Sequence, residues 1–274
     1  MLLSRRTVKE LQRVARSFAG KAKVPPRHRW KRLTNDAIWR HVVTQIAVVG
    51  SAASGARIEE SDHAQEALRF EILRRVSPNR RREIVNKVLR DCGVRFASAD
   101  ARQCRKTAAV LRNFEFLAAQ PGGPAGYLRF LAGLPSDAAR VSRLAADMSY
   151  IKLKGARDLL AELGLVTDII ALDARVLNIL RHAGAVLPSD IQTNGRRYAA
   201  LESELLRRVC EPIGITGVAL DRTLFQEYKA ILGRLRAAPD LDSASARSGE
   251  RRNRTRTIRA CTTGRSRKTR PSCA

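Results

Sequence analysis

MSYIKLKGARDLLAELGLVTDIIALDARVLNILR, residues 148–181, reads as a short hairpin, a helix opening at Lys154, a turn after Gly164 and a second helix entered at Asp173. Val176, Leu177 and Leu180 recur at helical spacing, and Gly184 supplies a C-terminal stop. A lysine at one helix start and an aspartate at the next is a pair suited to covalent chemistry on a sugar. The lysine serves as nucleophile and the aspartate assists.

Each residue also has a plain explanation. Lys154 lies in the first turn of its helix and faces the positive end of the helix dipole, which disfavours the charged form of the amine. A second cation nearby, Lys152 or Arg157, pushes the same way, and a neutral amine is what Schiff-base chemistry at a sugar C1′ needs. The plain reading is a solvated surface lysine. Asp173 stands where an N-cap is expected, and a cap fixes a carboxylate in place, so capping and chemistry are compatible roles.

Working outward, helix follows helix. TNDAIWRHVVTQIAVVG, residues 34–50, has a polar N-cap region, apolar positions at Ile38, Trp39, Val42, Val43 and Ile46, and a glycine stop. SAASGAR, residues 51–57, reads as a small-residue loop, followed by one helix from about Glu59 to Val76. Further helices are expected over 79–91, 100–119, 125–133, 136–148, 195–210 and 219–233. Period-two alternation is confined to the short Val94–Phe96 and Val166–Ala171 stretches. The pattern predicts an all-α chain of two helical subdomains with a cleft between them, across which Lys154 and Asp173 face each other.

Lys154-Gly-Ala-Arg-Asp-Leu-Leu, then Glu-Leu-Gly-Leu, then Ala-Leu-Asp173-Ala-Arg-Val-Leu resembles the core of the helix–hairpin–helix DNA glycosylases, with the closest similarity to the 8-oxoguanine glycosylase/AP lyase branch. That resemblance covers Met148–Gly184, with a weaker likeness over Ala37–Gly50 and the helical remainder to Leu232. It implies a bifunctional glycosylase that flips an oxidised purine, 8-oxoguanine being the expected one, out of duplex DNA. Lys154 would attack C1′, Asp173 would stabilise the sugar charge and help generate the amine, and a Schiff base would lead to β-elimination without a cofactor. The family hairpin carries a Gly-hydrophobic-Gly pattern that lets backbone amides approach a phosphate, whereas Ser149–Leu153 holds no glycine. Lys152 offers a side-chain contact to phosphate instead. The four-cysteine cluster of the endonuclease III branch is missing, as is normal in the 8-oxoguanine branch.

Trp39 and Gln45 are candidates to line the base pocket, although the periodic position of Trp39 also suits a core residue. Asp221 opens the late amphipathic helix; it reads chiefly as a cap, with a secondary role against the base or Lys154. His41, His63 and His182 lack metal-ligand spacing and read as structural or surface residues. Cys210 reads as core.

Charge points to a polyanionic partner. The 274 residues carry a formal net charge of +26. Roughly +10 of it lies in residues 1–33 and roughly +9 in residues 247–274. This divides the chain into a basic N-terminal helix and arm (1–33), a helical glycosylase-like domain (34–236) and a basic tail (237–274) too poor in large apolar residues to order itself. The five cysteines form no CxxC pair and fit neither a zinc site nor an iron–sulfur cluster, so reduced thiols are expected. The expected partner is duplex DNA with a damaged base, bound by a monomer. The expected location is cytoplasmic (nucleoid-associated in a bacterium), or mitochondrial if the Arg-rich N-terminus is a transit peptide. Two competing readings are a non-catalytic DNA-binding protein on a glycosylase scaffold, and a basic helical protein that binds RNA or another partner.

Overall fold

Polar residues ahead of apolar stripes set most helix starts in the computed structural model, which describes residues 2–237. In order come α1 (Arg5–Phe18), α2 (Asn35–Ala47), α3 (Ala52–Glu60), α4 (Asp62–Ala67), α5 (Phe70–Arg75), α6 (Pro78–Asp91) and α7 (Arg105–Ala118). There follow α8 (Gly123–Ala132), α9 (Asp137–Asp147), α10 (Leu153–Glu162), α11 (Ala174–His182), α12 (Gly195–Leu205), α13 (Gly217–Gln226) and α14 (Tyr228–Ala237). The side chains of Ser4, Thr34, Ser61, Ser77, Ser136, Asp173, Asn194 and Thr216 each accept a first-turn N–H. Among the described residues there is no strand, and no helix is long and apolar enough to cross a membrane. The tail expected from residue 237 lies, from residue 238 onward, outside the described residues.

The described residues up to Leu232 form one compact unit. Within this unit one cluster of buried apolar residues is set apart from further buried residues. The cluster joins α2 to α10 and centres on Trp39, Phe70 and Phe114, whose rings meet at centroid distances of 4.9–6.0 Å. Buried residues outside that cluster include Leu11 and Val14 of α1, Val176 and Leu180 of α11, Leu201 and Leu205 of α12, and Leu224 of α13.

The basic N-terminal segment packs within this unit. The N–H groups of Leu2 and Leu3 donate to Glu204 at 2.8 and 3.4 Å, and Arg208 donates to the Leu3 carbonyl at 2.6 Å. The Pro-containing arm then docks on the far end of α10. His28 N donates to the Gly164 carbonyl at 2.7 Å, Trp30 N to the Leu163 carbonyl at 2.8 Å, and Arg29 pairs with Glu162. Gly164 takes a φ of 65°, and a Cβ there would stand 2.1 Å from the Pro26 carbonyl oxygen, so the arm can close only over a glycine.

Two expectations are corrected here. SAASGAR is not a loop, because α3 begins at Ala52. The single helix expected over 59–76 is three short pieces, broken at Ser61, which caps α4, and at Leu68–Arg69.

Candidate active site

The hairpin ahead of α10 forms without glycine. Tyr150 adopts the left-handed conformation, φ 68°, that a glycine would take at no steric cost. Asn113 of α7 holds it there: its side chain donates to the Ser149 carbonyl at 2.9 Å and accepts from Ser149 N at 2.7 Å. Lys152 follows as N-cap of α10, exposed and without a side-chain cap hydrogen bond.

Lys154 projects from the first turn of α10, as its position in the sequence implies, but its surroundings differ from expectation. Its amine pairs with Asp158 one turn along the same helix. Arg157, expected as a neighbouring cation, turns the other way and forms a buried ion pair with Glu202, at 2.5 and 2.8 Å, with its guanidinium stacked over the Tyr198 ring. So a carboxylate stands beside the nucleophile candidate.

The segment leading to Asp173 belongs to no helix and pairs with no strand. Side chains satisfy its backbone instead. Glu202 accepts from Ile170 N at 2.8 Å, Asp221 from Ala171 N at 3.2 Å and the Tyr198 hydroxyl from Leu172 N at 2.8 Å. Tyr198 donates to the Ile170 carbonyl at 3.0 Å and Gln192 to the Leu172 carbonyl at 2.8 Å. Asp173 follows as N-cap of α11, accepting from Val176 N at 2.8 Å. The helix ends one residue before Ala183, with Gly184 at φ 90°.

These elements border a cleft of about 570 Å³. Lys154, Asp158 and Glu162 of α10 line it, with Asp173 and Arg175 at the start of α11, Asp221, Arg222 and Phe225 of α13, and His41, Thr44 and Gln45 of α2. Glu59 of α3 completes the wall. The structure therefore brings Lys154, Asp173, Gln45 and Asp221 to one cavity. The Gln45 amide lies over Gly155, where an added Cβ would come within 3.2 Å of its Nε2.

Other expectations are corrected. Trp39 does not line the cleft: its side chain is 0% exposed and packed between Phe70 and Phe114, because its periodic position on α2 points it into the core. Asp221 is not a helix cap. Thr216 caps α13, and Asp221 lies one turn further in, 3% exposed. Lys152, read as a side-chain contact to phosphate, is exposed at the hairpin, outside the cleft lining. His41, read as structural or surface, is on the cleft wall. Cys210 is buried as expected, and burial followed by Asp168 and Glu211 pushes its thiol up to about 12.

The cleft perturbs its own ionisable groups. Burial pushes the Asp221 carboxyl up to about 8, reinforced by Asp158 and Asp173 and opposed by Arg222 and Lys154. Burial also raises Asp158, against the pull of Lys154 and Arg222. His41 is lowered by burial and then by Arg29, and Glu59 is raised by burial and then by Glu162. Asp158, Arg222, His41 and Glu59 had no distinctive signal in the sequence, apart from the i,i+4 spacing of Asp158 from Lys154.

No family model matches this chain, and no curated protein does. Solved structures do. The 8-oxoguanine glycosylase/lyase of Methanocaldococcus jannaschii, in complex with a 15mer DNA containing 8-oxoguanine, is similar with a TM-score of 0.59 at 14% identity, over 81% of this chain and 97% of that one. A second structure, of the M. jannaschii 8-oxoguanine DNA glycosylase, gives 0.59 at 16% identity, over 81% and 92%. The 8-oxoguanine DNA glycosylase of Thermotoga maritima gives 0.53 at 18% identity, over 80% and 93%. The likeness is one of architecture: residues of this chain that share under a fifth of their identities with these proteins adopt the helical fold of DNA glycosylases.

Proposed function

We propose that this protein is a DNA base-excision glycosylase with AP lyase activity, acting as a monomer on duplex DNA that contains an oxidised purine such as 8-oxoguanine. The observation that carries the reading is the shared cleft: a lysine amine and a helix-capping aspartate, 19 residues apart, line one cavity in a helical glycosylase fold. The net charge of +26 supports a polyanionic partner.

In this reading the damaged nucleotide is flipped into the cleft. The Lys154 nitrogen lone pair forms a bond to C1′, the bond from C1′ to the base breaks, and the base leaves with the electron pair and takes up a proton. The Asp173 carboxylate, held by its cap to Val176, faces the positive charge that develops on the sugar. Ring opening gives a Schiff base between Nζ and C1′. Loss of a C2′ proton then expels the 3′ phosphate and nicks the strand. Gln45 and Asp221 offer an amide and a carboxyl group to the base.

Borohydride trapping tests the lysine, the substrate and the enzyme together. Wild-type protein should give a covalent adduct on duplexes carrying 8-oxoguanine or an abasic site, and Lys154→Ala should give none. Absence of an adduct with wild type on every lesion removes the lyase. A second reading, DNA binding without turnover, draws on the hairpin, where Tyr150 replaces the close-approach glycine. It predicts salt-sensitive duplex binding with no adduct.

A further inference from the structure

The Lys154 amine has a partner that stabilisation of the sugar charge does not call for. Asp158 stands at i,i+4 on α10, accepts from the amine, and is half-buried with it in the cleft wall. The other two carboxylates in this corner are committed elsewhere. Asp173 accepts from Val176 N, and Asp221 accepts from Ala171 N. Among the described residues, Asp158 is the carboxylate in contact with the lysine nitrogen.

Charged groups reach Asp158 from each neighbouring element. Arg222 and Asp221 come from α13 and Asp173 from the start of α11, while His41 and Gln45 of α2 line the same cleft. Arg222 donates to Glu162 at 3.3 Å.

We infer that Asp158 is the proton acceptor that converts the Lys154 ammonium into the attacking amine, leaving Asp173 to act on the sugar alone. The inference rests on the glycosylase/lyase reading. The step balances: one proton moves from Nζ to an Asp158 carboxylate oxygen, an ion pair becomes a neutral amine and carboxylic acid, and the freed lone pair attacks C1′. A duplex lying over the cleft drives the transfer, because removing water costs an ion pair more than it costs a neutral pair. The elevated proton affinity of the Asp158 carboxyl agrees with this direction. The two aspartates then divide the labour expected of one.

The test uses the full chain and a duplex with an abasic site, whose aldehyde needs the amine but no base departure. Adduct formation is timed from about pH 5 to about pH 9 for wild type, Asp158→Asn and Asp158→Glu. Asp158→Asn should slow trapping by ~10²-fold near neutral pH and close the gap as solvent base takes over at alkaline pH. Asp158→Glu should keep most of the wild-type rate and profile. Should the amide variant fail to fold, Asp158→Ser makes the same comparison. An Asp158→Asn or Asp158→Ser protein that traps as fast as wild type, with its rising limb moved to lower pH, overturns the inference alone; that is the outcome if Asp158 merely keeps the lysine charged. A wild type that traps on no lesion removes the glycosylase/lyase reading as well.

Discussion

The two helices that carry Lys154 and Asp173 begin in opposite ways. Helix α10 is entered through a left-handed tyrosine and an exposed Lys152 that provides no side-chain cap. Helix α11 is entered through three residues whose N–H groups are each bound by a buried side chain, and its cap is the candidate carboxylate itself. One start is held by a single asparagine behind its turn, the other by a network reaching into α12 and α13. The difference matches the two tasks proposed. A nucleophile must advance on a carbon and stay bonded to it through later steps, whereas a charge stabiliser works best when it does not move.

Breaking the chemistry of the rigid start without breaking its geometry should give the largest effect. Asp173→Asn keeps a good N-cap, so the melting temperature should barely change, while single-turnover release of 8-oxoguanine should fall by ~10²–10⁴-fold. If Asp173→Asn excises normally, Asp173 is a cap and nothing more. Next comes the scaffold. Glu202→Ala strands the buried Arg157 guanidinium and frees Ile170 N, and urea titration should show a loss of about 3–5 kcal/mol. An equal loss of excision and stability would tie the position of Asp173 to that network.

A gentler probe is pH. The folded Asp221 carboxyl is raised from its ordinary range to about 8, so the stability it contributes is complete at low pH and is lost as pH rises through about 8. Wild-type urea midpoints should therefore decline between about pH 4 and about pH 8 and level off above that. Asp221→Asn, which keeps an acceptor for Ala171 N and has no proton to lose, should flatten that decline. The smallest effect belongs to the open start. Lys152→Ala should leave stability alone and lower the slope of log affinity against log salt by about 0.9, the signature of one lost phosphate contact. An unchanged slope would place the hairpin away from the DNA backbone.

Much of this was legible in the residues. The periodicity of α2, α10 and α11, the caps at Thr34 and Asp173 and the stop at Gly184 all fall where the sequence implies, because each is decided within a few residues. What misled was composition that acts over distance. The small residues of SAASGAR look like a loop, yet they let two helices approach: a Cβ on Gly55 would lie 2.4 Å from Val48 Cγ1. The short period-two stretch Val166–Ala171 forms no strand, and the partners of its backbone are side chains from α12 and α13 that local pattern cannot reveal. Trp39 carried both a stacking chemistry and a core periodicity, and periodicity decided. Asp221 was displaced from a cap to a buried site by a helix that starts four residues earlier at Gly217.

The docking of α1 has a consequence for synthesis. Its buried face, with Leu11, Val14 and Phe18, meets the π-helical segment Leu206–Cys210 and helix α13, and the preceding Leu2 N–H closes a hydrogen bond to Glu204 across 202 positions. On a ribosome making ~5–20 residues per second, that partner surface emerges ~10–40 s after the helix does. During the interval a basic, amphipathic segment is in the open with its apolar side uncovered. Helix α1 is thus seated long after it is made, and its charge keeps it soluble while it waits.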